Sequence, residues 1–450
     1  MYLLVREAPV VQPLPVRVMA PSSAADLARA GALTVAETPG AMRRFVVSVR
    51  LPYAVTGDEV ADAFVDLVRV HPTLTDRWTG LDSQAPECSP LPRSVVDRAL
   101  ADVRRRLARC VTEAEPVFHD PSVVLPLDVV RRGPTELLVS GDHAHMNGYG
   151  LAAWVDLLLG SIARGRGRFT SGDLARLTTR YGRTASRHVT RRLHHTRTSR
   201  IQALRTFEAW TAERVARRSS LPISPMVRPF GRVRTGRQTL RTFRLPPVHT
   251  RKVLAEAAAR KLPLSMWVLQ QLARQAVSRQ SDFGVYLTSD LHRLCPGRSA
   301  LSPGNLTGSL PVHFLAEDSV SETIAVAMQA LADEVPYTAL AEYAAGVSDW
   351  TTARAAVIAS KTGSPWAPGA DPAGRMHLCL ASMGHVHHPW LGEVDELAAF
   401  YGSQNYPLMT VYVHRDRLVL NLSVPDDFCA AAPLHALVAA TLPTLASPEA

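Results

Sequence analysis

One short segment of the sequence places a histidine on a turn rich in glycine and asparagine. Residues 137–150 read LLVSGDHAHMNGYG, a β-like run that ends in a turn and continues into an apolar stretch. Such a turn holds polar side chains at the edge of a rigid sheet, where catalytic groups commonly lie. An unperturbed histidine pKa of about 6.5 lets His143 act as a general base near neutral pH. From these residues alone, a structural histidine remains the commoner alternative.

The flanking pattern predicts the elements that hold this turn. Residues 136–140 favour a strand that enters the turn, and residues 151–162 favour an apolar helix that leaves it. Upstream, residues 41–53 alternate as a strand and precede a helix for which Asp58 is the predicted N-cap. That helix ends at Pro72, because proline cannot continue it.

The second half of the chain alternates strands and helices, and a linker rich in proline and arginine, residues 221–237, separates it from the first half. We therefore predict an α+β (mixed α/β) fold in two domains, residues 1–220 with the His143 segment and the arginine-rich helices, and residues 221–450. The predicted strands are 239–245, 284–288, 310–314, 376–381, 408–414 and 417–424, and the predicted helices include 250–260, 320–332 and 433–441.

The His143 segment resembles the HHxxxDG signature of condensation domains and of related acyltransferases that use acyl-CoA or carrier-bound acyl groups. Asp142 stands at the first His of the signature, His143 at the second, Asn147 at the Asp and Gly148 at the Gly. Two further stretches are similar to landmarks of that family in the same order. Residues 71–78, HPTLTDRW, resemble its HPxLR helix end, and residues 288–312 resemble its arginine followed by a G-x-F-x-N-x-L-P loop and strand.

The resemblance implies a chloramphenicol-acetyltransferase-like pseudodimer, two lobes in a V with a central tunnel and His143 at its midpoint. The implied activity is transfer of an acyl or aminoacyl group from a thioester to an amine or hydroxyl, in natural-product or nonribosomal peptide biosynthesis. The donor would be carried on phosphopantetheine or CoA, with no tightly bound cofactor and no metal. Acyl or peptidyl carrier proteins are the implied partners, and the backbone N–H of Gly148 is a candidate oxyanion donor.

Several positions depart from the family pattern. The motif Asp normally pairs with an arginine, and here Asn147 supplies an amide without charge. By resemblance its expected partner is Arg293. Asp142 is expected to raise the pKa of His143 through its negative charge. The extra histidine, His145, is either a second polar group in the tunnel or a core or solvent-facing residue.

Charge is unevenly distributed along the chain. Residues 160–244 hold twenty-one arginines and three acids, a balance of +18, so the rest of the chain carries −8 of the total of +10. Three interpretations remain open for this stretch: solvated helices of biased composition, docking of an acidic carrier protein, and binding of nucleic acid. The stretch lacks interleaved aromatic residues, so we expect no nucleic-acid partner.

Other features exclude whole classes of protein. No apolar run reaches the length needed to cross a bilayer, and the N-terminus lacks the pattern of a secretory signal, so we expect a cytoplasmic monomer without membrane contact. Five scattered cysteines without a CxxC pair predict free thiols. The histidines at 385, 387 and 388 are predicted to lie in surface loops without metal. Two alternatives to an acyltransferase stay open: a catalytically degenerate module that recruits a carrier or tailoring enzyme, and a condensation fold used for cyclisation.

Overall fold

The computed structural model describes residue 28 and residues 44–79, 87–109, 124–188, 195–219, 238–279, 282–295, 299–347, 378–401, 407–425 and 431–445. Its strands are β1 (Arg44–Arg50), β2 (Asp76–Thr79), β3 (Glu87–Pro90), β4 (Leu127–Arg131), β5 (Glu136–Asp142), β6 (Gln238–Arg244), β7 (Phe283–Asp290), β8 (Thr307–Phe314), β9 (Leu378–His385), β10 (Glu396–Tyr401), β11 (Leu408–His414) and β12 (Arg417–Pro425). Its helices are α1 (Gly57–Val70), α2 (Arg93–Leu107), α3 (Gly148–Gly165), α4 (Ser171–His188), α5 (Arg197–Ser219), α6 (Pro247–Ala259), α7 (Leu264–Val277), α8 (Val320–Ala332), α9 (Val335–Val347) and α10 (Ala431–Leu445), with 3₁₀ turns at Pro72–Thr75 and His292–Leu294.

Two larger sheets organise the chain. The first is antiparallel, with strands in the order β10-β1-β5-β4, and the second has the order β6-β12-β11-β9-β7-β8. In the second sheet β9 runs parallel to both β7 and β11, whereas the remaining pairs are antiparallel. The mixed α/β fold predicted from the sequence is therefore confirmed.

Each sheet faces its own hydrophobic core. The first core joins β1, β4 and β5 to α1, α2 and α3, and the second joins the larger sheet to α7, α8 and α10. Side chains on the outer face of the larger sheet, Tyr286 and Tyr412 among them, also pack into the first core. The two cores therefore meet across the larger sheet.

The cores do not follow a simple division of the chain at residue 220. Strand β10, from the second half, pairs with β1 in the first sheet, and helix α5, from the first half, contributes Leu204 and Phe207 to the second core. The boundary itself lies outside the described residues and stays a prediction. Because each half contributes an element to the sheet or core of the other, the two halves pack together.

Helix α1 shows how local sequence fixes an element that supports the site. Thr56, and not the predicted Asp58, is its N-cap: the Thr56 hydroxyl accepts from the Glu59 N–H, and the Glu59 carboxylate accepts from the Thr56 N–H. This reciprocal pair satisfies two otherwise unpaired donors of the first turn. The Asp58 assignment is wrong because a capping box begins two residues earlier.

Candidate functional site

Asp142 builds the turn that carries His143. Its backbone carbonyl accepts hydrogen bonds from the N–H groups of His145 and Met146, both at 3.0 Å, and its Oδ1 accepts from the Ala144 N–H at 3.0 Å. A single residue at the end of β5 therefore satisfies three backbone donors of the loop. Asp142 therefore supports the turn, although the HHxxxDG motif has a histidine at this position.

A buried arginine lies beneath the same turn. Arg44 of β1 is the register partner of Asp142, and only 6% of its surface is exposed. Its guanidinium donates to the Leu125 carbonyl at 2.9 Å and to the Ser140 hydroxyl at 3.2 Å. Arg44 was not predicted from the sequence as a residue of the site. A charged residue inside the alternating run of β1 does indicate such a role.

The geometry around His143 fixes which nitrogen carries the proton. Its Nδ1 lies 3.2 Å from the carbonyl oxygen of Met146. Because a carbonyl oxygen only accepts, Nδ1 carries the hydrogen and the lone pair of the neutral ring is on Nε2. The ring also packs against Phe45, with centroids 4.7 Å apart.

The electrostatics of His143 differ from the sequence expectation. Burial lowers the pKa of His143 below 6.5, and this effect exceeds the opposing hydrogen bond to Met146 and the negative charge of Asp142. Asp142 acts in the predicted direction, but the expected net increase is wrong, because desolvation of the imidazolium is the larger cause. His143 is therefore neutral at pH 7.

His145 lies in the interior and is 2% exposed. Neither ring nitrogen has a hydrogen-bond partner among the described residues. Burial is the main cause that lowers the pKa of His145 to about 4. The Asp142 carboxylate and the nearby Thr73 backbone act in the opposite direction and raise the pKa. The Thr73 backbone does not reach hydrogen-bonding geometry with the ring. Of the open alternatives, the structure favours a buried, neutral histidine over a solvent-facing one.

Asn147 connects the loop to the other half of the molecule. As the N-cap of α3, its Oδ1 accepts from the Gly150 N–H at 2.9 Å. Its Nδ2 faces the end of β7, where it donates to Asp290 Oδ1 at 2.9 Å and to the Leu306 carbonyl at 3.4 Å. The expected partner, Arg293, lies in the 3₁₀ turn His292–Leu294, and its side chain lies outside the described residues.

Asp290 receives three donors on one oxygen. Besides Asn147, the His292 backbone N–H lies 3.1 Å and the His292 Nδ1 2.8 Å from Asp290 Oδ1. Burial raises the pKa of Asp290, but the His292 hydrogen bonds and the Asn147 amide outweigh it, so that the pKa is lowered. Asp290 is therefore a carboxylate, and His292 carries its hydrogen on Nδ1. The Asn147 Nδ2 also lies 3.1 Å from His292 Nδ1, and in this tautomer that contact joins two donors that share the Asp290 oxygen.

Two further contacts bring the second half of the chain onto the loop. The Gly304 N–H donates to the His145 carbonyl at 2.6 Å, and Gly304 has a φ of 131°, a conformation that favours glycine. A Cβ on Gly150 would lie 2.9 Å from the Ala300 carbonyl oxygen. Gly148 opens α3, and the N–H groups of a first helical turn have no acceptor within the helix. Asp290, Ala300, Gly304 and Leu306 thus contact the His143 loop and the start of α3.

A second polar cluster lies along α3 and was missed from the sequence. Asp156 accepts from the Trp390 and Leu391 N–H groups, each at 2.7 Å, and from the Tyr181 hydroxyl at 2.8 Å. His388 Nδ1 lies 2.5 Å from the same hydroxyl, and burial lowers the pKa of His388 to about 4. His388 is therefore half-buried in its loop, where Tyr181 holds it against α4.

The other histidines of that stretch agree better with the sequence. His385 and His387 are exposed and stack with parallel rings 5.2 Å apart. Among the described residues no group of three or more His, Cys, Asp or Glu side chains has the arrangement of a metal site. Nor is any described helix both long and apolar enough to cross a membrane.

Helix α5 lies within the arginine-rich stretch and shows what some of its arginines contact. Its arginines form what we call the arginine seam with acids of the second half: Arg197–Glu342 at 3.5 Å, Arg200–Glu334 at 3.6 Å, Arg214–Asp318 at 2.8 Å and Arg217–Glu317 at 2.8 Å. Negative charge from outside the stretch therefore neutralises part of its excess. On α5 these contacts count against both a freely solvated helix and an open basic patch.

No protein-family model matches the sequence, and no curated protein matches it. Solved structures do match it, over nearly the whole chain. Polyketide synthase associated protein 5 from Mycobacterium tuberculosis is 15% identical with a TM-score of 0.58, covering 96% of this chain and 100% of that one. The condensation domain of the monacolin K polyketide synthase MokA is 12% identical with a TM-score of 0.55, covering 95% and 97%.

Two peptide-synthesis structures give the same result. The first condensation domain of the calcium-dependent antibiotic synthetase, in complex with a substrate analogue, is 13% identical with a TM-score of 0.55, covering 96% of this chain and 98% of that one. The X-domain from teicoplanin biosynthesis is 15% identical with a TM-score of 0.51, covering 98% of both chains. The chain therefore has the chloramphenicol-acetyltransferase-like fold that these condensation domains share, as the HHxxxDG resemblance predicted.

Proposed function

We propose that this protein is a condensation-type acyltransferase with His143 as its general base. It transfers an acyl or aminoacyl group from a carrier-protein or CoA thioester to an amine or hydroxyl acceptor. One observation carries the proposal: the Met146 carbonyl fixes the hydrogen of His143 on Nδ1 and leaves the lone pair on Nε2. A general base needs this tautomer, and the lowered pKa of His143 keeps the ring neutral near pH 7.

The reaction proceeds through a tetrahedral intermediate. Nε2 of His143 takes the proton of the acceptor N–H or O–H while the acceptor atom attacks the thioester carbonyl. The backbone N–H of Gly148 stabilises the oxyanion, together with a donor from the second half of the chain. Collapse of the intermediate breaks the C–S bond, and the imidazolium returns its proton to the departing thiolate. His143 ends the cycle neutral. No acyl-enzyme forms, and no proton is taken from or released to the solvent.

The donor thioester is the group that a carrier protein or CoA would supply. Both present the acyl group on a phosphopantetheine arm, so a single tunnel suits either source. The solved structures with this fold include a condensation domain of a polyketide synthase and one of a synthetase in complex with a substrate analogue. These similarities support a role in natural-product assembly, with a carrier protein as partner.

Thiol release tests this proposal directly. Acetyl-, butyryl- and palmitoyl-CoA, and a carrier protein loaded with the same chains, are incubated with primary amines and alcohols, and free thiol and product mass are followed. We expect acceptor-dependent thiol release by the wild type and by His387→Ala, an exposed control. His143→Ala should release at least ~10²-fold less, the usual contribution of a positioned base. Equal release by His143→Ala would contradict the proposal.

A further inference from the structure

The orientation of the Asn147 amide follows from its two neighbours. Since its oxygen accepts from the Gly150 N–H at the start of α3, its nitrogen must face the end of β7. There both amide hydrogens have acceptors, one on Asp290 and one on the Leu306 carbonyl. Asn147 is a donor toward the second half of the chain and an acceptor toward its own helix, a division that an aspartate cannot reproduce.

Asp290 is the matching acceptor. It is a carboxylate whose Oδ1 collects the Asn147 amide and two donors of His292. His292 is 4% exposed, and its Nε2 has no hydrogen-bond partner among the described residues. The His292 imidazole is therefore held against Asp290. This contact keeps the Asp290 carboxylate directed at Asn147.

We propose that Asp290 is the positioning residue of the His143 loop, supplying from the end of β7 the carboxylate that the motif lacks at position 147. The connection is short. Asp290 holds Asn147, the adjacent residue Met146 accepts from His143 Nδ1, and Gly304 holds the His145 carbonyl from the same side. The effect of Asp290 on acyl transfer rests on the proposed function, whereas the effect of Asp290 on the His143 ring does not.

The proposal predicts that restoring the aspartate of the HHxxxDG signature harms this protein. In Asn147→Asp, two carboxylates face each other where an amide now donates to one of them over 2.9 Å. Like charges at that separation repel, so one of the two must take a proton or the contact must open. The exchange variant Asn147→Asp/Asp290→Asn keeps one amide and one carboxylate, with their order reversed, and should re-form the contact.

The experiment compares Asn147→Asp, Asp290→Asn, the exchange variant and a matched control, Asp282→Asn. Asp282 accepts from the Ala316 N–H just before the opposite end of β7, which makes it a change of the same type beside the same strand. Two readouts are taken, a titration over a range of pH and a rate at pH 7.5. The first is the titration of His143 in protein labelled with ¹³C at histidine Cε1, assigned with His143→Ala. The second is thiol release from butyryl-CoA with a primary amine.

We expect each single variant to release thiol at least ~10-fold more slowly and the exchange variant to recover to within ~3-fold of wild type, as coupled neighbours do. The His143 midpoint should fall in both single variants, because a loosened Asn147 displaces the adjacent Met146 carbonyl, whose hydrogen bond raises the pKa of His143, and it should return in the exchange variant. Asp282→Asn should change neither readout.

Wild-type behaviour of Asn147→Asp in both readouts, or an exchange variant worse than either single one, would overturn the proposal. If the wild type released no thiol, the NMR titration would still test the role of Asp290. Loss of the proposed function and loss of the proposed positioning are thereby distinguished.

Discussion

The amide of Asn147 donates to the carboxylate of Asp290 over 2.9 Å, which joins the loop that holds His143 to the end of β7. The charge expected in the HHxxxDG motif is thus found on the other side of the contact. This arrangement keeps one negative group at the junction of the two halves while the N-cap of α3 remains satisfied. An amide at position 147 is therefore compatible with an anchored loop.

The paired carboxylates of Asn147→Asp should make the stability of that variant depend on pH. Repulsion raises the pKa of one of the two acids in the folded state above its unfolded value. Its stability, relative to wild type, is therefore highest below the unfolded pKa and is lost as the pH rises through the folded pKa. Urea unfolding at pH 5 and pH 8 measures the difference. A penalty that is equal at both values would show that the two carboxylates do not interact.

The pH dependence of transfer follows from the lowered pKa of His143. The base must be neutral, and burial favours the neutral ring, so with a hydroxyl acceptor the rate should decrease less between pH 8 and 6.5 than it would with an unperturbed histidine. Its decrease should have a midpoint below 6.5, the value of an unperturbed histidine. Rates of thiol release at saturating donor and acceptor measure this midpoint. A midpoint above 6.5 would mean that the Asp142 charge, and not burial, dominates.

Gly150 should be intolerant of a side chain although it lies in a helix. A Cβ there would lie 2.9 Å from the Ala300 carbonyl oxygen, which is part of the backbone and cannot rotate away. We expect Gly150→Ala to destabilise the protein by about 1–3 kcal/mol, despite the better helix propensity of alanine. A Cβ on Gly165, in the same helix, would meet no atom of the described residues within 4 Å. Gly165→Ala is the control and should be neutral or stabilising by up to ~1 kcal/mol in urea unfolding.

The arginine seam should contribute to stability mainly through its two buried pairs, Arg200–Glu334 and Arg214–Asp318. The side chains of Arg200 and Glu334 are 13% and 7% exposed, so Arg200→Ala removes a cation from beside a carboxylate in the interior. We expect a loss of about 3–5 kcal/mol. Arg205, 63% exposed and paired with Glu208 on the same helix, is the control, and its replacement should cost less than about 0.5 kcal/mol. Equal losses in thermal or urea unfolding would show that the seam is not buried.

Periodic segments were predictable from the sequence because their own residues determine them. Helix α8 and strand β11 have the predicted bounds, and β5 extends only two residues further, to Asp142. Strand β10 was missed because it is short and exists by pairing with β1, more than 340 residues earlier in the chain. Such a partner leaves no pattern in the strand itself.

The site was predictable to the extent that a motif carries it. His143 and the loop around it were found from the motif and its flanking elements. Arg44 and Asp290 were not, because their roles arise from contacts 81 to 143 residues away along the chain. The direction of the His143 pKa was also missed, since burial cannot be read from a neighbouring acid.

Chemical rescue of His143→Gly tests whether His143 is the general base. This variant should lose at least ~10²-fold in acyl transfer from butyryl-CoA to a primary amine, and added imidazole should restore the rate in proportion to its concentration. The restored rate should rise with the fraction of neutral imidazole as the pH increases. Full product formation by His143→Gly without imidazole would contradict the account.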